Sequence, residues 1–296
     1  MANITATLVK ELRTITGAGM MECKNALVET EGDISAAVDV LRTRGLATLA
    51  KKAGRAANEG AIASFVSDDS KVGVLTEVNC ETDFVGSNAT FTGFVDDIAQ
   101  VVADQDPADV AELQTLSFPG RDITIEESFG ELVGKLGENM SVARFTRHEV
   151  EGNGAIASYI HGGAKIGVLV KFALGDQATA DNPVFKTYAR DIAMQIAAAD
   201  PIAVTRDDFD QEVIDHELSI YRAQAADSGK PEAIQEKMAE GRLNKFFKEQ
   251  ALVEQAFVKD MDISVADLTK KVAKEVGDTI EITGFERYNL GETNPA

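Results

Sequence analysis

The spacing of apolar residues changes along this chain. In the first segment they recur every three or four positions: Ile4, Leu8, Leu12 and Ile15, then Met20 to Thr30 with Leu27, then Ile34, Val38 and Leu41. That spacing predicts three short helices, with Asp33 capping the third and "TGAG" breaking the chain between the first two. After "KKAGRAANEG" (51–60), which reads as a linker, the pattern becomes that of strands. "GAIASFVSDDSKVGVLTEV" (60–78) predicts two strands about a tight turn at "DDS", and a helical period resumes after Asn88, a suitable N-cap.

The same pattern then recurs. "GAIASYIHGGAKIGVLVKF" (154–172) matches 60–78 at nine of 19 positions with a constant offset of 94, and that offset also pairs Asn88 with Asn182, Phe91 with Phe185, and "DIAQVVADQDP" with "DIAMQIAAADP". Pro183 suits the first position of the second helix. Further on, "ELVGKLGENMSVARFTRHEV" (131–150) matches 271–290 through Gly137/Gly277, Phe145/Phe285 and Arg147/Arg287, at an offset of 140. The offset grows by 46 residues, so the second copy must hold an insertion of that length, and residues 206–251 supply it. There two charged helical stretches flank "DSGKP", which predicts an antiparallel hairpin too polar all round to be core and so projecting from the body.

The expected architecture is therefore α+β: a three-helix head with its basic linker at 1–55, a first core half at 56–152, a second at 153–205 and 252–296, and the hairpin at 206–251. A chain of 296 residues has the length for two or three such units. The start "MANITATLVKELRT" holds no apolar run of signal-peptide length, and no segment approaches the roughly 20 apolar residues of a membrane span, so a cytoplasmic protein is expected.

The formal charge of -20 argues against nucleic acid or an anionic membrane as partner. It is unevenly spread: residues 1–55 carry a net +2, and the break falls at the linker. Cys23 and Cys80 lie far apart, which predicts two reduced thiols rather than a disulfide or a zinc site. No GxxxxGK[ST] loop occurs, "TGAGMME" lacks the GxGxxG spacing and follows a helix, and His148, His161 and His216 show no ligand spacing. No GxSxG elbow or HExxH occurs either, so neither a cofactor nor a metal is expected and an enzyme reading has little support.

Three features remain. Met20 and Met21 are adjacent at a helix start and point about 100° apart, so both cannot easily face one small core; one is expected outside, as a docking site or as irregular core filling. His161 occupies a turn where the first copy has Ser67, and by itself reads as a solvated turn residue. Phe84, in "ETDFV" (81–85), lies opposite "GDQAT" (175–179), so the fold can close this corner without an aromatic. Phe84 is either folded back beneath its own helix or an exposed wedge offered to another protein; Asp83 beside it is either part of that offer or a turn residue bonding nearby backbone.

"TGAGMMECKNALVETEGDISAAVDVLR", "VNCETDFV", "YIHGGAKIGVLV" and "GKPEAIQEKMAEGRLNKF" together resemble elongation factor Ts, in order and over nearly the whole chain. The resemblance implies a ubiquitin-associated-like head, a two-part core and a coiled-coil hairpin. It also implies a guanine nucleotide exchange factor that binds elongation factor Tu carrying GDP and Mg²⁺, with nucleotide and metal held by the partner. On that basis Thr82, Asp83, Phe84 and Val85 intrude beside the partner's Mg²⁺ site, Met20 and Met21 dock on its G domain, and His161 faces its third domain. A homodimer or heterotetramer through the core or the hairpin is compatible with it. Some relatives have a further C-terminal helix, whereas this chain ends at "GETNPA". Two competing classes stay open: a passive adaptor that binds through the head and dimerises through the hairpin, and a Mg²⁺-dependent hydrolase using surface carboxylates.

Overall fold

The computed structural model describes residues 4–292; Met1 to Asn3 and Thr293 to Ala296, most of "GETNPA", lie outside the described residues. Three helices open the chain: α1 (Ala6–Thr16), α2 (Met20–Glu29) and α3 (Ile34–Lys52). Thr5 and Asp33 cap α1 and α3 by accepting from the N–H groups of Leu8 and Ala36, and Gly17, at φ 69°, takes the left-handed turn that ends α1. Val9, Leu12, Cys23, Ala26, Leu27 and Ala37 fill the core among them.

The first core half follows as β1 (Glu59–Val66), β2 (Val72–Cys80), α4 (Asp83–Gly86), α5 (Ala89–Gln105), α6 (Val110–Thr115), α7 (Ile125–Leu136) and β3 (Met140–Glu149). The second is β4 (Gly154–His161), β5 (Ile166–Leu174), α8 (Pro183–Ala199), the hairpin helices α9 (Gln211–Ala226) and α10 (Glu232–Gln250), β6 (Ala256–Phe257), β7 (Asp260–Ser264), α11 (Val265–Val276) and β8 (Ile280–Asn289). The result is the expected α+β fold, with antiparallel sheets ordered β1-β2-β3 and β4-β5-β8. The repeat holds in detail. The register slips between Glu77 and Val78 in one sheet and between Lys171 and Phe172 in the other, positions related by the offset of 94. Asn88 and Asn182 both cap their helices by accepting a backbone N–H at 2.9 Å.

The two sheets pack face to face about a local pseudo-twofold. Ile62, Leu75, Ile156, Leu169 and Tyr288 form the layer between them. Gly73 faces Ile156 and Gly167 faces Ile62 so closely that a Cβ on either glycine would lie 2.5 Å from the isoleucine methyl. Backbone bonds obey the same symmetry, Ile62 N to Ala164 O at 2.9 Å and Ile156 N to Ser70 O at 2.7 Å, with the Ser64 and Ser158 hydroxyls 3.1 Å apart near the axis. The outer face of the first sheet is covered by Phe91, Phe94 and Ile98 of α5 and Phe129 of α7, that of the second by Phe185, Tyr188 and Ile192 of α8 and Val265 of α11.

Two readings need correction. The third helix does not stop near Leu41 but runs 19 residues to Lys52, so the basic stretch 51–60 begins inside it. Its second half is held by a surface that periodicity within the head could not reveal: Gly45 lies against Gly130 of α7, where a Cβ on either residue would be 2.8–2.9 Å from the other helix's backbone. Neither α6 nor the β6–β7 ribbon was expected. The ribbon is fixed by the buried Gln195 side chain, which donates to Gln255 Oε1 at 3.0 Å and accepts from Val258 N at 2.7 Å.

The hairpin stands on a small aromatic base of Phe209, Phe246 and Phe247 packed with Ala203 and Ala251, separate from the main cores. Beyond that base its described helices bury only Ala225 and Ala239. Arg206 bonds Glu254 through two nitrogens and stacks 4.9 Å over the Phe247 ring, which pins the two ends of the insertion together. Replacing residues 215–242, above the base and the Ile214 and Leu243 side chains that pack on it, with a short Gly/Ser link should therefore leave cooperative unfolding intact and shift the melting temperature by only a few degrees, because closure cost depends weakly on loop length. Circular dichroism melting checks this, and loss of cooperativity would mean that the hairpin shaft belongs to the core.

Candidate functional site: an aromatic corner beside the head

The corner between β2 and α5 is a rigid support for one exposed ring. Thr82 N-caps the single turn α4, its hydroxyl accepting from Val85 N at 3.4 Å. Glu138, just beyond α7, grips the same residue twice: Oε2 accepts from Thr82 N at 3.0 Å and Oε1 from the Thr82 hydroxyl at 2.6 Å. Donating its proton to Glu138 leaves the hydroxyl a lone pair for Val85, so the carboxylate also orients the cap. Val85 is buried in the first core, and Gly86 lies so close to Gly60 that a Cβ there would meet the Gly60 carbonyl at 2.8 Å. Phe84, held between these anchors, is 85% exposed. The folded-back reading is excluded. Of the four residues assigned to this segment, Asp83 and Phe84 face solvent, while Thr82 is half-buried and Val85 buried, so the latter two support the corner.

The bracing continues into the head. Glu81 accepts from Asn139 N at 2.6 Å and pairs with Arg55 at 3.3 Å; the Asn139 amide and this guanidinium hold its carboxyl below the usual range. Asn139 Nδ2 donates to Arg55 O at 2.8 Å, and Lys52 at the end of α3 donates to Gly137 O. Beneath the corner, burial and the nearby Glu138 push the Cys80 thiol up to about 12. Cys23 and Cys80 are both buried free thiols, so Ellman reagent at pH 8 should find neither in the native protein and both in denaturant. Labelling of Cys80 under native conditions would instead report opening of the corner.

The second copy shows what the fold alone requires. Asp278, at the position of Glu138, accepts from Asp176 N at 3.0 Å and Thr179 Oγ1 at 2.6 Å, contacts that keep its carboxyl below the usual range. Yet Ala178 stands where Phe84 would be, and Gln177, in place of Asp83, folds back onto β4, accepting from Gly154 N at 2.9 Å and donating to Gly154 O at 3.1 Å. A carboxylate that takes the first N–H and a threonine hydroxyl is common to both corners, the hydroxyl coming from Thr82 in one and from Thr179 in the other; the exposed phenylalanine and aspartate belong to one.

His161 is exposed at the end of β4, its Nδ1 2.9 Å from the Tyr159 hydroxyl. Its turn lies at the corner's end of the molecule: Lys165 reaches Glu59 at 3.4 Å, and Glu59 pairs with Cys80 across the sheet. Met20 and Met21 are 61% and 62% exposed, so both face outward where one was expected; Cys23, Ala26 and Leu27 already fill the core side of α2. With Ile4, Ala6 and Val9 they line a groove of about 660 Å³ edged by Lys10, Arg13 and Lys24. A further cleft brings the head's Thr16 together with Ala89 and Thr90 at the start of α5 and Lys135 of α7, so the end of α1 lies beside the helix that follows the corner.

The sequence reading missed Glu138, Glu81, Asn139 and the Gly60–Gly86 contact. One signal was available for the first: an acidic residue follows the helix-ending glycine in both copies, Gly137-Glu138 and Gly277-Asp278. Among the described residues no group of three or more His, Cys, Asp or Glu could hold a metal, and no helix is long and apolar enough to cross a membrane.

An aromatic on a braced corner, an exposed turn beside it and, on the head, an apolar groove with a basic edge are surfaces suited to another macromolecule. The chain belongs to the elongation factor Ts family: the family model described as "Elongation factor TS" matches residues 81–292. Among curated relatives, elongation factor Ts of Clostridium perfringens (strain ATCC 13124) is 51% identical over 289 residues, covering 98% of this chain and 93% of that protein. Those of Clostridium botulinum (strain Alaska E43) and Clostridium novyi (strain NT) are each 46% identical, again over 98% of this chain and 93% of theirs.

Proposed function

We propose that this protein is a guanine nucleotide exchange factor for elongation factor Tu in translation elongation, acting on the partner's bound GDP rather than on a substrate of its own. The observation that carries the reading is Phe84, held out on a clamped corner whose copy in the second half has alanine and a folded-back glutamine. Asp83 and Phe84 enter beside the partner's Mg²⁺ site while Thr82 and Val85 hold them in position. Met20 and Met21, with the groove they line, dock on the G domain, and His161 meets the third domain.

Seating one aromatic ring in a partner cleft is worth about 1.5–3 kcal/mol, and each 1.4 kcal/mol is a tenfold change in an equilibrium. If the ring fits only when the elements around Mg²⁺ have shifted, its binding weakens Mg²⁺ and GDP, and they weaken it by the same factor. Exchange then runs through a short-lived nucleotide-free complex that either GDP or GTP resolves. The factor therefore sets the rate of exchange and not its direction.

Stopped-flow release of a fluorescent GDP analogue from elongation factor Tu tests the proposal. The expected result is faster release with added factor and no hydrolysis of the nucleotide. An unchanged rate despite complex formation would favour the passive adaptor, and acceleration only with hydrolysis the carboxylate reading.

A further inference from the structure

We infer that Glu138 is a positioning residue for the exchange reaction: its grip on Thr82 sets the direction in which Phe84 leaves the corner. The inference rests on the proposed role of Phe84. Glu138 touches nothing that would enter a partner. It acts through Thr82, taking the backbone N–H at 3.0 Å and the hydroxyl at 2.6 Å. Both are hydrogen bonds to a carboxylate, and together they fix the N-cap of a turn only four residues long. A four-residue helix has little stability of its own, so its orientation comes from its attachments.

Those attachments are Glu138 at the entry, Val85 in the core and Gly86 against Gly60 at the exit. Glu81, bonded to Asn139 N at 2.6 Å, and the Thr82 carbonyl, which accepts from Cys80 Sγ at 3.1 Å, keep the end of β2 in place, but among the described residues only Glu138 holds the Thr82 N–H and hydroxyl that start the turn. Without that grip the exposed ring samples a wider cone, and the partner must bear the cost of ordering it. Asp278 makes a related clamp in the second half, taking the N–H of Asp176 and the hydroxyl of Thr179 three residues on, where no aromatic is presented. Nature thus supplies a control of the same chemistry and the same place in the fold.

The experiment compares full-length variants at saturating factor, using stopped-flow release of the GDP analogue alongside thermal melting. Glu138→Ala is expected to slow saturated release about tenfold, and Glu138→Gln, which keeps one acceptor oxygen, about threefold. Asp278→Ala should lower the melting temperature comparably yet stay within about twofold of the unmodified rate. Phe84→Ala/Glu138→Ala should be no slower than Phe84→Ala alone, since a clamp that works through the ring has nothing left to position. Should Glu138→Ala fail to fold, the glutamine variant carries the comparison. If Glu138 and Asp278 variants lose stability alike and keep the full saturated rate, or if the double variant multiplies the two single effects, Glu138 is merely structural and the inference falls. A Phe84→Ala protein with an unaltered rate would remove the proposed role of Phe84, and this inference with it, while failure of the unmodified protein to speed release would remove the proposed function itself.

Discussion

Phe84→Ala should melt with the unmodified protein and release GDP from elongation factor Tu at least tenfold more slowly at saturation. The two halves of that expectation have separate causes. The ring is 85% exposed and lies outside every hydrophobic cluster, so its removal creates no cavity. Truncation of such a side chain changes stability by about 0.5 kcal/mol or less, against the roughly 3–5 kcal/mol of a core Phe→Ala change. The rate effect follows from the partner instead. Losing about 1.5–3 kcal/mol of seating energy that is available only in the Mg²⁺-shifted state corresponds to about ten- to 150-fold. Thermal melting and stopped-flow release on one preparation read both quantities. A destabilised variant would show that the ring is packed in solution, and a stable variant with full activity would transfer the exchange function elsewhere on the surface.

The second large effect is expected at the seam between the head and the first core half. At an ordinary exposed helix position, replacing glycine by leucine adds up to about 1 kcal/mol of helix propensity. Gly130→Leu should do the reverse. A Cβ at this position lies 2.9 Å from Leu46 N and 3.0 Å from Gly45 C, backbone atoms of a packed helix that cannot rotate away. The rest of a leucine side chain must then push α3 off α7, at a cost of about 1–3 kcal/mol or more. Because α3 carries the rest of the head, the Met20 and Met21 groove would be displaced with it. The factor concentration giving half-maximal exchange should rise about tenfold or more, with a smaller loss of saturated rate, and protease should cut the segment between Lys52 and Glu59 earlier. A normal melting curve with normal half-saturation would mean that the helix pair can separate without consequence. A collapse of the saturated rate would place the head in the exchange step, through Lys52 and Arg55, which tie its end to the corner.

Much of this protein was legible because its signals are local or repeated. Helical spacing at Leu8 and Leu12, strand alternation after Gly60 and the caps Asp33, Asn88 and Asn182 each depend on neighbours within a few residues, which sequence order preserves. The offsets of 94 and 140 carried more, since two copies of one chain must fold alike; they pointed to residues 206–251, where α9 and α10 lie, and set Phe84 apart as a residue the second copy lacks. Other features waited on the tertiary structure. Nothing near Gly45 announces Gly130, nothing near Thr82 announces Glu138, and the alternation of "TDFV" does not say that Val85 turns inward while Phe84 turns out. The extra turns of α3 exist because α7 covers them, and both methionines are outside because Cys23, Ala26 and Leu27 had already filled the space. In each case the deciding contact joins residues far apart in the chain, or depends on how much room a packed core has left, and neither quantity is carried by the spacing of residues along the sequence.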